Sequence, residues 1–582
     1  MSTHCPRKKI LNDLETAVAE SLKGIILTNP NVVTLNFGQI LLIRDYAHTK
    51  KVIIVSGGGA GHEPMYAGFV GNGMLSAAIH GEIYTSPPAS EIFRLLQELS
   101  FHSSRGILLI IPNYSGERLH FALAVERAKN EAIPVKILIV DDDCYQGKPW
   151  KGRCGLSGIV LVQKIAGAMA EADLELTEIF PFCEKVVKKL HSISVVVQKP
   201  TPVRGKCVCI FEEQNVVIEF GASLNGEPGI KKELDSATEI CRYLLDEITS
   251  PQVGNPIEFK EDESVVVLVN NLGTSTAIEE LVFTKELLSQ LYERKVKIDR
   301  VYKGKFVSSL DTAGFSVTFL KVFDKRVIEY LDAPCQVPAW GNLNNFTISP
   351  KLDRVICAKI KPSTAPVPQV GPKFTESGSN TVMMVLQFAC DALYSCEKQL
   401  NTIDHETGDG DAGTRIRRGM EAIDVAIKTE KINLLYPYTM LAMLSKIIEK
   451  DLEGPLGMIY SVFLEAGSNV FRITPDTEPI TPKLWSKALM EGASAVKRCL
   501  TTEAGCRTIY DPLYVCSTLL ENGLDLVGIS AMEAVGVSIS AAEEAAQKTK
   551  MPYAKYPDPG AHSVAIWMRA VLEGLKCRWI ED

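Results

Sequence analysis

Hydrophobic and polar positions divide the chain into two regions of different period. In the first, short apolar runs at 51–55, 106–111, 135–140 and 264–269 stand between helix-like stretches. Nearly continuous apolar strands alternating with helices predict a buried, mostly parallel sheet. The four runs end in Ser56–Gly59, Pro112-Asn113, Asp141–Asp143 and Asn270–Gly273. Ligands of such sheets bind at strand carboxyl ends, so a site is expected there. A second α/β half is predicted to begin near residue 190. Farther on the period changes. Val382, Val385, Leu386, Ala389, Leu393, Cys396 and Leu400 recur at three and four, the mark of an amphipathic helix. Similar spacing through 437–450, 484–498, 530–547 and 561–576 predicts a helical bundle. Residues 361–380 between the regions are rich in Pro, Gly, Ser and Thr and read as linker. The predicted organisation is an α/β domain over 1–340, a linker over 341–375 and an all-α domain over 376–582.

Composition narrows the function classes. A chain of 582 residues is too long for one core. Hydrophobic residues at 46% and charged residues at 23% fit a globular protein. A diffuse net charge of −8 argues against a nucleic-acid binder, whose mark is a basic patch. No apolar run reaches about 18 residues, so no membrane span is expected. The first twenty residues lack the apolar stretch of a signal peptide. The 15 cysteines include no C-x-x-C pair, and Cys207 and Cys209 stand two apart. That pattern suits reduced thiols in the cytoplasm better than a disulfide framework or a zinc site.

Two motifs carry chemistry. Ser56-Gly-Gly-Gly-Ala-Gly-His-Glu-Pro64 follows a predicted strand. Consecutive glycines let backbone amides approach a ligand closely, and His62 adds a titratable ring. The plain alternative is a tight turn with a structural histidine. The second motif is Leu400-Asn-Thr-Ile-Asp-His-Glu-Thr-Gly-Asp-Gly-Asp-Ala-Gly413. Asp404, Asp409 and Asp411 lie within eight residues at a Gly-rich turn after a helix. Hard carboxylates so spaced suit Mg2+; the alternative is an acidic solvated junction. An EF-hand is excluded by the missing glutamate at the twelfth loop position. Asp141–Asp143 read as a solvated loop, and His80 and His102 as structural residues.

GGG-x-GHEP resembles the signature of the dihydroxyacetone kinase family, with Ala60 where the family usually has Ser. Further landmarks follow in family order: 67–75, Ser86-Pro-Pro88, Asn113-Tyr-Ser-Gly116, Gly155-Leu-Ser-Gly158, Lys164-Ile-Ala-Gly167 and Val269–Gly273. The D-x-x-x-x-D-G-D-x-G spacing resembles the metal triad of the family's helical domain, and Asp558-Pro-Gly-Ala561 a nucleotide-pocket loop. The resemblance covers nearly the whole chain. It implies an α/β substrate domain holding a short ketose or aldose near Gly57, Gly58, Gly59 and Asn113. It also implies an α-helical barrel holding ATP with Mg2+ on Asp404, Asp409 and Asp411. Gly454, Gly457, Arg507, Asp558 and Gly560 fall at nucleotide positions. The family's two sites face each other, often across a homodimer, and the phosphoryl group passes directly. Animal members with fused domains also split FAD into AMP and cyclic FMN, an activity for which Mn2+ is a second candidate ion beside Mg2+.

Four positions depart from the family pattern. The usual histidine that bonds covalently to the substrate carbonyl is Asn225, and an amide nitrogen is not a nucleophile. The usual aspartate of the substrate site is Glu117, which keeps the carboxylate but moves it. The G-G-S-S-G phosphate loop reads Glu453-Gly-Pro-Leu-Gly457. Two hydroxyls are lost, Pro455 has no N–H, and a carboxylate is added. G-D-R-T-M reads Gly505-Cys-Arg-Thr-Ile509, which keeps Arg507 and replaces the acid by Cys506. Three readings follow: a kinase of small carbonyl sugars with FAD-splitting activity, a non-catalytic binding or regulatory paralogue, or a lyase only. In the first reading His62, Glu117 and Asn225 form the catalytic set.

Overall fold

A computed structural model describes residues 10–13, 15–48, 50–102, 105–145, 152–200, 217–225, 229–340, 367–406, 408–500, 503–552 and 554–579. Cys207, Cys209, Gly226–Pro228 and the linker up to residue 366 lie outside the described residues. The chain divides into two compact units, Met1–Ile356 and Cys357–Asp582.

The first unit holds two six-stranded sheets. In chain order the strands are β1 Val32–Thr34, β2 Gln39–Ile43, β3 Ile53–Ala60, β4 Ala77–Ile83, β5 Ile107–Pro112 and β6 Val135–Val140. They are followed by β7 Leu190–Gln198, β8 Val217–Phe220, β9 Ile230–Glu233, β10 Ser264–Asn271, β11 Lys297–Gly304 and β12 Ala313–Lys321. The spatial orders are β1-β2-β4-β3-β5-β6 and β11-β10-β12-β7-β8-β9. Three of the four predicted runs, β3, β5 and β6, are parallel neighbours. The fourth, β10, belongs to the second sheet, parallel to β11 and antiparallel to β12. The mostly parallel sheet expected is mixed, and the fourth run belongs to the sheet of the second half. The second half does open at β7, near residue 190.

Period-two alternation explains the layering. Ile53, Val55, Ile107 and Leu109 pack with Ile92, Leu95 and Phe121 on one face of the first sheet. Ile54, Leu108 and Ile110 pack on the other, in a core shared with Val266 and Leu268 of β10. The helix Ile159–Glu171 lies in that shared core and is buried from Ile159 to Ala170. A helix apolar all round belongs inside. Its two buried polar members each make one side-chain hydrogen bond: Gln163 Nε2 donates to Ser56 Oγ at 3.0 Å, and Lys164 Nζ to Tyr330 O at 2.8 Å.

One expectation fails here. Asp141–Asp143 are not a solvated loop. Asp142 is fully buried, accepting from Leu156 N at 2.7 Å, Gly158 N at 2.8 Å and Ser192 Oγ at 2.5 Å. It ties the Gly155–Gly158 segment to β7, so its polarity fastens the two sheets. His80 is buried with Nδ1 3.3 Å from Gln39 O, and His102 pairs with Glu98 at 3.5 Å.

The second unit contains nine helices and no strand among its described residues. They enclose an apolar cavity of about 410 Å³, lined among others by Leu386, Met420, Phe463, Trp485 and Trp567. The helices Pro437–Asp451, Pro482–Leu500, Ala531–Lys548 and Pro559–Trp579 coincide with four periodic stretches. The last two have clear starts: Ser530 and Glu533 form a reciprocal capping box, and Asp558 accepts from Ala561 N at 2.6 Å.

Candidate functional site

The first candidate site lies at the carboxyl end of β3. The glycine run belongs to the strand itself rather than to a turn after it. The reason is close approach. A Cβ at Gly57 would stand 2.3 Å from Ile79 O, and one at Gly58 would stand 2.3 Å from Tyr66 Oη and 3.1 Å from Glu117 Oε1. Gly59 donates its N–H to Glu117 Oε1 at 3.1 Å. Glu117 is buried in the first turn of the helix Ser115–Asn130, where the helix dipole favours a carboxylate.

His62 follows the strand and is 5% exposed. Its Nδ1 lies 2.9 Å from the Ser308 carbonyl, which only accepts, so Nδ1 carries a proton. The ring centroid lies 5.2 Å from that of Tyr84. Burial pushes the His62 pKa down. The Ser308 hydrogen bond, the charges of Glu63 and Glu117 and a hydrogen bond accepted by the Asn225 amide oxygen oppose this without cancelling it. The imidazole is therefore neutral at neutral pH.

Asn225 comes from the second sheet's side of the unit and is held there by backbone. Ser309 Oγ donates to Leu224 O at 2.5 Å, and Leu224 N donates to Tyr114 Oη at 3.3 Å. The exposed Asn225 amide reaches the His62 ring. The structure thus brings together Gly57–Gly59, His62, Glu117 and Asn225. Asn113 plays a tying role: its Nδ2 donates to Arg153 O at 2.5 Å and its N to Val140 O at 2.9 Å. Sequence reasoning missed Tyr66, Ser308 and Ser309. Tyr66 stands four residues after His62 and carried a weak signal; the two serines carried none.

The second candidate site opens the helix Ala412–Lys428. Asp404, Asp409 and Asp411 each bring an oxygen within 4.8 Å of the others. Asp404 ends the preceding helix, and its Oδ2 accepts from the N–H groups of Gly410, Asp411 and Ala412 at 3.0, 3.1 and 3.2 Å. These unpaired helix-start donors shape the loop around one carboxylate. Asn401 exchanges hydrogen bonds with Thr414, 3.1 Å to its N and 2.9 Å to its Oγ1. Gly413 is required because a Cβ there would lie 2.1 Å from Glu397 O. Asp411 Oδ1 is buried with no hydrogen-bond partner, the sort of orphan acceptor a bound cation satisfies. The three carboxylates fit Mg2+, which takes oxygen ligands.

The other predicted positions converge nearby. A Cβ on Gly560 would lie 3.3 Å from both Ile509 Cβ and Leu456 Cδ1, so three segments meet at that glycine. Burial raises the Asp558 pKa, with the hydrogen bonds from Ala561 and Gly560 opposing. Glu406 accepts from Lys555 N at 2.9 Å and Tyr556 N at 3.0 Å, fastening the triad loop to the segment before Asp558. Gly454 and Gly457 stand in the first turn of the helix Gly454–Ile473 rather than in a free loop. Glu453 pairs with Arg418 at 2.7 Å, so its charge is matched rather than left facing a phosphate. Arg507 is exposed at φ +63°, with Nη1 3.4 Å from Lys550 O. Asp511, unnoticed in the sequence, holds the segment before it, accepting from Gly505 N at 2.5 Å and Thr508 N at 2.8 Å. Arg415 and Arg418 were also missed. Their spacing of four and seven residues after Asp411 was the available signal.

A Dak1 domain matches residues 23–339 and a DAK2 domain matches residues 406–573. The chain is 33% identical to a triokinase/FMN cyclase of Homo sapiens, over 98% of this chain and 99% of that protein. It is 31% identical to a dihydroxyacetone kinase of Pichia angusta, over 86% of each. The crystal structure of the dihydroxyacetone kinase of C. freundii superposes with a TM-score of 0.71 at 25% identity, covering 97% of this chain and 99% of that one.

Proposed function

The chain belongs to the dihydroxyacetone kinase family, and from that membership we propose that it transfers a phosphoryl group from ATP to dihydroxyacetone or glyceraldehyde. The observation that carries the reading is the carboxylate triad with its orphaned Asp411 oxygen. Asp404, Asp409 and Asp411 are the residues to hold Mg2+, which when bound neutralises phosphate charge during transfer. The first turn at Gly454 and Gly457, Arg507, and the Asp558–Gly560 turn form the nucleotide's surroundings. The glycines of β3 let the sugar approach the backbone, with Asn113 holding the neighbouring segment. Glu117 is placed to accept the proton of the attacking hydroxyl. His62, neutral and fixed by Ser308, hydrogen-bonds the sugar and serves as a second base. Asn225 donates and accepts hydrogen bonds and cannot form a covalent bond to the substrate carbonyl. Sugar binding is therefore reversible and non-covalent.

The homodimer of the resembled family and a cytoplasmic location are part of the same proposal. No described helix is long and apolar enough to cross a membrane. FAD splitting to AMP and cyclic FMN with Mn2+ uses the nucleotide site alone, and the FMN cyclase relatives support it. Asn225 favours a second reading, a binding or regulatory paralogue. Calorimetry with Mg2+ and ATP separates the two. The kinase reading expects saturable binding that Asp404→Asn abolishes. No binding by the native chain would leave the paralogue.

A further inference from the structure

Two of the three triad carboxylates already have a cation on their Oδ2 atoms, while Asp411 Oδ1 stays open. Arg415 lies one helical turn beyond Asp411. Its Nη2 stands 2.9 Å from Asp409 Oδ2 and 2.7 Å from Asp411 Oδ2, and its Nε donates to Asp411 Oδ2 at 2.9 Å. One guanidinium thus bridges two of the three carboxylates. Its other edge abuts the start of the Gly454–Ile473 helix, where a Cβ on Gly454 would stand 2.5 Å from Arg415 Nη1. A cavity of about 330 Å³ opens beside it, lined by Asp411, Thr414, Arg415, Arg418, Glu453 and Gly454.

A guanidinium does not lose its proton, and a small hard ion drawn to Asp411 Oδ1 sets a second positive charge against the same two carboxylates. We propose that Arg415 is a tethered cation that competes with the divalent ion for Asp409 and Asp411, and that ion binding releases it toward the cavity beside Gly454 and Arg418. The proposal rests on the metal reading above. Arg415 then lowers the affinity for the free ion and delivers a positive charge where an anionic phosphate group would lie. Ion and phosphate favour each other through it, because each draws a partner away from the same bridge. The arrangement also supplies a donor on the side where Pro455 has none.

The test is a Mn2+ titration of the full chain without nucleotide, followed by electron paramagnetic resonance. Arg415→Gln should bind Mn2+ about three- to tenfold more tightly than the native chain, the worth of the exposed ion pairs the ion no longer has to break. Arg415→Lys keeps the charge, loses the fork and should fall between. Arg417→Gln is the charge control, since Arg417 pairs with Glu397 and Glu421 instead, and its affinity should match the native chain's. Equal or weaker binding by Arg415→Gln overturns the competition, as does equal tightening by both glutamine variants. Absence of Mn2+ binding by every folded variant overturns the metal reading and this proposal together.

Discussion

The two candidate sites are held in place by opposite means. Around β3, burial and backbone do the work: His62 and Glu117 are almost without solvent, and carbonyls and amides fix them. At the triad, charge does it. Asp409 and Asp411 are exposed enough to be bridged by Arg415, and Glu453 is matched by Arg418. A buried site tolerates little change in shape. An exposed one tolerates change as long as charges stay paired. The departures from the family pattern fit this contrast. Substitutions in the first site keep a compact polar group, Asn225 or Glu117. Those in the second alter charge, with arginines alongside to balance it.

The largest expected effect is at the residue that belongs to both schemes. Asp404 is the buried member of the triad and the acceptor of three amides. Asp404→Asn should weaken Mn2+ binding by at least about 100-fold, since even residues that only orient metal ligands cost 10–100-fold. Titration by paramagnetic resonance reads this directly. An affinity within threefold of native would remove the triad from the account. Next comes Glu117→Gln, which should lower kcat/KM for the sugar by about 100-fold and leave calorimetric ATP affinity unchanged. A parallel loss of ATP binding would show that the sites are not held independently.

The pH response sharpens the contrast. Because burial lowers the His62 pKa, the ring stays neutral below the ordinary 6.5. The acid limb of kcat/KM should therefore lie below 6.5 and move with His62→Gln; a limb at or above 6.5 that follows His62 would contradict the dry pocket. The smallest effect belongs to the paired surface charge. Glu453→Gln releases Arg418 toward the cavity and should tighten ATP by no more than about fivefold. Weaker binding by that variant would mean that Glu453 supports the nucleotide.

Much of this was legible in the sequence, for physical reasons. Runs with alternate faces in two cores, such as Ile53–Val55 and Ile107–Ile111, announce buried strands, and the three/four spacing after Val382 announces helices. The triad was legible because its residues are local. Asn225 could be set beside His62 only through the family pattern, since 162 residues of chain separate them and the connection runs through the Ser308 carbonyl and the Ser309 hydroxyl to Leu224 O. Asp142 was misread because an acidic run after a strand has the same appearance whether it meets water or three buried donors. The second half was foreseen near residue 190, but its antiparallel pairings were not, because β7 and β12 are buried on both faces and a continuous apolar run does not report strand direction. Arg415 needed only the i,i+4 relation to Asp411, but its second partner, Asp409, depends on the turn at Gly410.

The central claim is phosphoryl transfer between these two kinds of site without a covalent sugar. Its most direct test is 31P NMR of the full chain with ATP, Mg2+ and dihydroxyacetone, with intact-protein mass measured after reductive trapping of the same mixture. The account predicts a phosphorylated triose that disappears with Asp404→Asn, and no added sugar mass on Asn225 or His62. ATP bound and unconsumed while the sugar stays unphosphorylated, or a sugar trapped on His62, would contradict it.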